Sequence, residues 1–330
     1  MDKASEVLVL TGAEIRGLMS DSQCIDVIEH AMRTVSLGRA VLPLRIGARA
    51  PQRATFVAAM PGFLDDPPTL GGKIIAGSRG KEPGGPSHQG IIVLFDVATA
   101  APLAIFDARS ITALRTAAAS AVATRALARK DSSRLAILGA GDQAEAHVRA
   151  LTQVRQFDSV AVWSRTLDRA RALVVSQAKT LGLPMTAHAT AEDAVAGADV
   201  ICTTTAAAEP ILRGSWVRAG THVNLVGASG LDAREADDAL VLGSSFFVDF
   251  RISAMAQAGE LAHAFGSDAA RMTLHIRAEI GEVLNGTCGR NNADEVTVYK
   301  SLGIAAQDLA AARFLYDRAR DEPIGVRVKM

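Results

Sequence analysis

The chain has 330 residues, 49% of them hydrophobic and 21% charged, a balance that suits a globular protein long enough for two compact units. Lys plus Arg equals Asp plus Glu at 35 each, so no basic field exists to hold nucleic acid or an anionic membrane, and a small-molecule partner is expected. MDKASEVLVLTGAEI at the N-terminus lacks the pattern of a signal peptide, the apolar stretch Ile111 to Ala128 is broken by Arg115 and Arg125, and Cys24, Cys202 and Cys288 have neither disulfide nor metal-ligand spacing. These features predict a cytoplasmic protein without a metal site.

In chain order, Ser20 and Asp21 followed by Ile25, Ile28, Met32 and Val35 predict a capped amphipathic helix over 21–38. Closely spaced β-like runs at 56–60, 72–76, 90–95 and 102–106 predict hairpin-connected antiparallel structure, and Gly77 to Gly90, dense in Gly and Pro, reads as a loop. An Ala-rich helix over 114–127 leads into the strand Leu135-Ala136-Ile137-Leu138. Strand and helix patterns then alternate, with strands at 159–163, 199–203, 222–226 and 246–249 and a helix at 167–181, which is the signature of a doubly wound parallel sheet. A last helix over 304–320 has a mixed apolar face and is expected to pack back on the first region.

The stretch from Arg134 to His147 carries the first chemical signal. Gly139-Ala140-Gly141-Asp142-Gln143-Ala144 fits the dinucleotide pattern G-x-G-x-x-G/A between an apolar strand and a helix-compatible segment. The first Gly permits the tight turn, the second lets backbone approach a pyrophosphate, and the small third residue packs helix on strand, with the helix N-terminus aimed at the anion. About 20 residues further on, an NAD enzyme presents Asp or Glu to the ribose hydroxyls. This chain presents Ser164-Arg165-Thr166, whose guanidinium and hydroxyls suit a 2′-phosphate, so NADPH is the expected cofactor and NADH remains possible if Asp168 serves the ribose.

The ordered set Leu42-Pro43-Leu44-Arg45, Gly72-Lys73, Pro86-Ser87-His88-Gln89-Gly90, Leu114-Arg115-Thr116-Ala117-Ala118, the GAGDQA turn, Ser164-Arg165-Thr166, Val226-Gly227-Ala228-Ser229 and Lys300-Ser301-Leu302-Gly303 resembles the ornithine cyclodeaminase/mu-crystallin family over nearly the whole chain. The resemblance implies an α/β fold. A Rossmann-type doubly wound domain over 116–303 is joined to a mixed α+β substrate and dimerisation domain over 1–115, completed by 304–330, and the assembly is a homodimer. It also implies that Arg45, Lys73 and Arg115 line the substrate pocket and that Thr116, Gln143, Arg165, Val226 and Ser301 hold the cofactor. Gly139, Gly141, Asp142, Ser164, Thr166, Thr203 and Thr205 join the cofactor set, and His88 lies on a loop that the mu-crystallin branch keeps near the nicotinamide. At Ser229 the chain sides with ketimine reductases, because cyclodeaminases and related archaeal alanine dehydrogenases carry Asp there.

Reducing an imino acid requires a hydride donor, a grip on the carboxylate, a protonated nitrogen and exclusion of water. Arg45 and Arg115 supply a bidentate grip, and Lys73, after two glycines in an apolar strand, is the candidate acid, brought toward working pH by burial beside other cations. Asp232 and Glu235 read as caps of the following helix. The expected function is NADPH-dependent reduction of cyclic ketimines such as Δ1-pyrroline-2-carboxylate and Δ1-piperideine-2-carboxylate to proline and pipecolate. A cyclodeaminase or alanine-type dehydrogenase is the alternative enzyme, and a non-catalytic NADP-dependent binding protein the alternative of another class.

Overall fold

The computed structural model describes residues 6–51, 55–78 and 88–329. The chain runs β1 (Glu6–Leu10), α1 (Gly12–Leu18), α2 (Asp21–Ser36), β2 (Ala40–Val41), β3 (Ile46–Arg49), β4 (Thr55–Asp65), β5 (Pro68–Ser78), β6 (His88–Phe95), β7 (Pro102–Asp107) and α3 (Ala108–Leu127). Then come β8 (Arg134–Leu138), α4 (Asp142–Thr152), β9 (Ser159–Trp163), α5 (Leu167–Leu181), β10 (Met185–His188), α6 (Ala191–Val195), β11 (Val200–Thr203), β12 (His222–Leu225) and α7 (Asp238–Leu242). The last part holds β13 (Ser245–Val248), α8 (Arg251–Gln257), α9 (Gly259–Phe265), α10 (Ala269–His275), β14 (Ile276–Glu279), α11 (Ile280–Leu284), β15 (Thr297–Lys300), α12 (Ala305–Ala319) and β16 (Val326–Lys329). Two compact units emerge: Met1–Arg115 with Ile304–Met330, and Thr116–Gly303.

The first unit is built on an eight-stranded sheet in the order β16-β1-β7-β6-β5-β4-β2, with β3 also paired to β4. Strands β4 to β7 form the expected antiparallel meander. Its register sets Met60, Lys73, Ile92 and Phe106 in one row across four strands, all buried. Helix α12 packs on α2 and across β4, β5 and β6. Glycines make that approach possible: a Cβ on Gly62 would lie 2.9 Å from the Ala305 Cβ, and one on Gly71 would lie 3.0 Å from Leu309 Cδ2. The sheet therefore receives a helix close enough to place polar groups against Lys73.

Strands β4 and β5 run well past the expected 56–60 and 72–76, and three other boundaries differ for visible reasons. Helix α2 stops at Ser36 because Gly38 takes φ 73° and turns the chain, while its start is held by the Ser20 hydroxyl, which accepts from the Gln23 amide at 3.2 Å. Helix α3 begins at Ala108 rather than 114, because the Asp107 carboxylate accepts the Ser110 amide at 2.8 Å and starts the helix early. The β5–β6 hairpin pairs Gly77 with His88, so strand replaces loop at both ends of 77–90, and 79–87 lie outside the described residues.

The second unit is a parallel eight-stranded sheet in the order β10-β9-β8-β11-β12-β15-β13-β14. Its buried strands supply Ala136, Leu138, Ile201, Val223, Leu225, Phe246, Val248 and Val298 to one core. Strand order reverses at β8, which has β9 on one side and β11 on the other, so the glycine turn stands at the carboxyl end of the switch-point strand where doubly wound folds bind nucleotides. Among the described residues no helix is long and apolar enough to cross a membrane.

Candidate active site

In the first unit, Lys73 is 3% exposed and its Nζ sits 2.7 Å from Asp308 Oδ2. The other oxygen of Asp308 accepts from Arg115 Nε at 2.9 Å, and Arg115 Nη1 donates to Gln307 Oε1 at 2.8 Å. Burial pushes the Lys73 ammonium down to about 8; Asp308 opposes this, while Arg115 and Arg45 add to it by repulsion. Burial also disfavours the Asp308 carboxylate, yet the charges of Arg115 and Lys73 outweigh it and hold that carboxyl below the ordinary value. The result is an amine able to exchange its proton near neutral pH within a cluster of three cations and one carboxylate.

The bidentate grip expected from Arg115 needs amendment. Its Nε and Nη1 are already engaged by Asp308 and Gln307, so the side chain is a pre-aimed donor rather than an open fork. Arg45 lies on the segment between β2 and β3 and is near enough to depress Lys73. His88 opens β6, and its side chain lies outside the described residues.

In the second unit the glycine turn has the features a dinucleotide needs. Gly139 takes φ 137°, and a Cβ there would lie 2.3 Å from Thr204 Oγ1, so only glycine fits. Around Gly141 a Cβ would meet nothing within 4 Å, leaving open space above the start of α4. No side chain caps that helix at Gly141, and a helix N-terminus of this kind suits an anion. Three buried oxygens of the expected cofactor set have no hydrogen-bond partner: Thr116 Oγ1, Gln143 Oε1 and Ser301 Oγ. Buried orphans cost about 1–3 kcal/mol each, which a polar ligand relieves. These residues fit a nicotinamide dinucleotide.

Beyond β9, Arg165 and Thr166 are exposed, Ser164 is half-buried, and Thr166 starts α5 without a side-chain cap bond. Asp168 turns its carboxylate to Arg171 at 3.1 Å.

The sequence profile of the Ornithine cyclodeaminase/mu-crystallin family matches residues 5–323. The chain belongs to that family. It is 38% identical over 304 residues to the ketimine reductase mu-crystallin of Mus musculus, covering 91% of this chain and 93% of the relative. Among solved structures, the Δ1-pyrroline-2-carboxylate reductase of Thermococcus litoralis in complex with NADH and L-proline superposes with a TM-score of 0.93 at 34% identity, covering 98% of this chain and 100% of that one. An archaeal alanine dehydrogenase dimer with bound NAD gives 0.92 at 31% identity, covering 99% and 100%.

Within this family fold, one expectation about the second unit is corrected. Glu235 is not a helix cap: α7 is capped by Asp237, whose side chain accepts from the Leu240 amide at 3.0 Å. Glu235 is instead fully buried and receives the Thr203 hydroxyl at 2.7 Å, the Thr205 hydroxyl and amide at 2.7 Å, and the Gly227 amide at 2.6 Å. The hydroxyls of Thr203 and Thr205 are therefore both engaged by one buried carboxylate. Their part is to tie the end of β11 to the Val226–Ser229 segment, in which Val226 is buried and Ser229 exposed.

A second buried pair completes this tie. Lys300, at the end of β15, is 2.9 Å from Glu260 and donates to the Ala228 carbonyl at 2.7 Å, with both side chains wholly buried. Glu260 also accepts the Glu235 amide at 3.2 Å. The sequence reading missed Asp308, Gln307 and Glu260, and placed Lys300 in a motif without assigning it a role. One usable signal existed: Gln307-Asp308 interrupts a run of small apolar residues from Ala305 to Ala312 that leaves no solvated face.

Proposed function

We propose that the chain is a nicotinamide-dependent reductase of small imino acids, with cyclic ketimines as substrates and NADPH as the preferred donor. The observation that carries this reading is the buried Lys73, beside Arg115 and Arg45 and held near 8. A site that only bound a ligand would not need a titratable group between two guanidiniums. The names of the family members above, a ketimine reductase and a pyrroline carboxylate reductase, support the same chemistry.

When bound, the nicotinamide supplies the hydride. Arg45 and the pre-aimed Arg115 would take the substrate carboxylate by charge-assisted hydrogen bonds, fixing the ring in one orientation. Lys73 would give its proton to the imine nitrogen as the C=N bond is reduced to CH–NH, and solvent would restore it. The preference for NADPH rests on Ser164-Arg165-Thr166, since the two solved relatives carry NADH and NAD. Ser229 supports reduction over deamination, because a serine without an adjacent base cannot take a proton from a substrate ammonium at neutral pH.

A homodimer is part of this reading. Ile46, Ala59, Ile74 and Ile91 form one row across β3 to β6 on the sheet face opposite Lys73, and three of them are 65%, 46% and 40% exposed. An apolar row of that kind needs cover. The decisive experiment follows NADPH and NADH consumption with five- and six-membered ketimines and with pyruvate plus ammonia, and the reverse reaction with ornithine. Ketimine reduction is the expected result; ammonia release from ornithine without it would replace this reading by a cyclodeaminase.

A further inference from the structure

We propose that Asp308 is a positioning residue for the reduction: one carboxylate oxygen holds the Lys73 ammonium and the other fixes the Arg115 guanidinium, so a single buried acid keeps the proton donor charged and the carboxylate grip aimed. This inference rests on the imino acid reductase reading above.

Lys73 lies in a buried row between Met60 and Ile92, neither of which can stabilise a charge. Among the described residues, the charged groups facing it are Arg115 from α3, Arg45 from the segment before β3 and Asp308 from α12. Helix α2 packs on α12 and brings Cys24, a buried thiol that burial keeps protonated. Without Asp308 a buried amine beside two guanidiniums would lose its proton more readily, and Arg115 would lose its Nε acceptor while keeping its bond to Gln307. The carboxylate also neutralises one cation of three and leaves the cluster positive toward a monocarboxylate substrate.

Lysine side-chain NMR on the protein labelled at lysine Cε, without substrate, tests the charge assignment, with Lys73→Met identifying the resonance. Lys73 is expected to titrate near 8 in the wild type. In Asp308→Asn the midpoint should fall by about one to three units, and Asp308→Glu should hold it within about one. The acid form then becomes scarce at neutral pH. For a shift of about two units, ketimine reduction at pH 7.5 should fall roughly twentyfold in kcat and largely recover near pH 5.5. KM for the imino acid should rise as Arg115 loosens.

An unmoved Lys73 titration in Asp308→Asn, or a loss of kcat equal at every pH, overturns the proposal. If wild-type protein reduces no imino acid while the titration moves as described, the functional reading has failed and the charge coupling has not. If Asp308→Asn does not fold, Lys73→Met/Asp308→Asn decides: a folded double variant shows that the carboxylate compensates Lys73, and an unfolded one shows a purely structural role and refutes the idea.

Discussion

Lys300→Met is the most demanding test of the second unit. Its ammonium, wholly out of water, is 2.9 Å from Glu260 and 2.7 Å from the Ala228 carbonyl, so methionine removes a buried cation and a donor without changing side-chain volume much. Glu260 would then be a buried carboxylate with the Glu235 amide at 3.2 Å as a remaining donor. Breaking one side of such a pair costs about 3–5 kcal/mol, because the surviving charge is left uncompensated. In a domain of this size about 2–4 °C of melting temperature goes with each kcal/mol, so a drop of roughly 6–20 °C is expected. Both tryptophans, Trp163 and Trp216, lie in this unit, and their fluorescence reports its melting directly. Lys300→Met/Glu260→Gln, which removes both charges, should recover most of the loss. A single variant melting within about 2 °C of wild type, or a double variant less stable than the single, would refute the argument.

Arg165→Ala should reduce the preference for NADPH over NADH by roughly ten- to a hundredfold, the worth of one charge-assisted contact to a 2′-phosphate, measured as the ratio of kcat/KM values. Equal use of both cofactors by wild type would remove the NADPH assignment. Ketimine reduction needs Lys73 protonated, so kcat should fall as pH rises through about 8, and oxidation of the cyclic amino acid should rise over the same interval; a rate independent of pH between 6 and 10 takes Lys73 out of the mechanism. Ile74→Arg puts a charge in the centre of the exposed apolar row and should convert a dimer to a particle near 34.5 kDa by light scattering. Wild type already at that mass would exclude the dimer.

Much of the architecture was legible because it is written in period and punctuation. The run Leu135 to Leu138 is continuously apolar, as a strand buried on both faces must be, and the glycine turn behind it admits few alternatives once Gly139 needs φ 137°. Lys73 was legible for a local reason, two glycines before it in an apolar strand. Asp308 was not, because its meaning depends on a helix more than 200 residues away in sequence being seated on β5, and Ala-rich helices give weak facial signals. The pairing of Lys300 with Glu260 was not legible for another reason: sequence gives no sign that two charges 40 residues apart compensate each other, which appears only when α9 meets the end of β15. Glu235 was read as a cap since acids often precede helices; Asp237, two residues later, took that place.

The unit that holds Lys73 is interrupted in sequence: it leaves at Arg115 and resumes at Ile304, with a complete nucleotide-type domain between. During synthesis the β4–β5–β6 hairpins emerge long before α12, so the Met60–Lys73–Ile92 face has neither its covering helix nor the carboxylate that balances its cations. The intervening parallel sheet contains its own core and can form in that interval, since domains fold as units as the chain emerges. Maturation of the charged cluster is thereby deferred to the final stage of translation. A chain stopped at Gly303 should yield an ordered second unit attached to a first that exposes its apolar interior to chaperones and proteases.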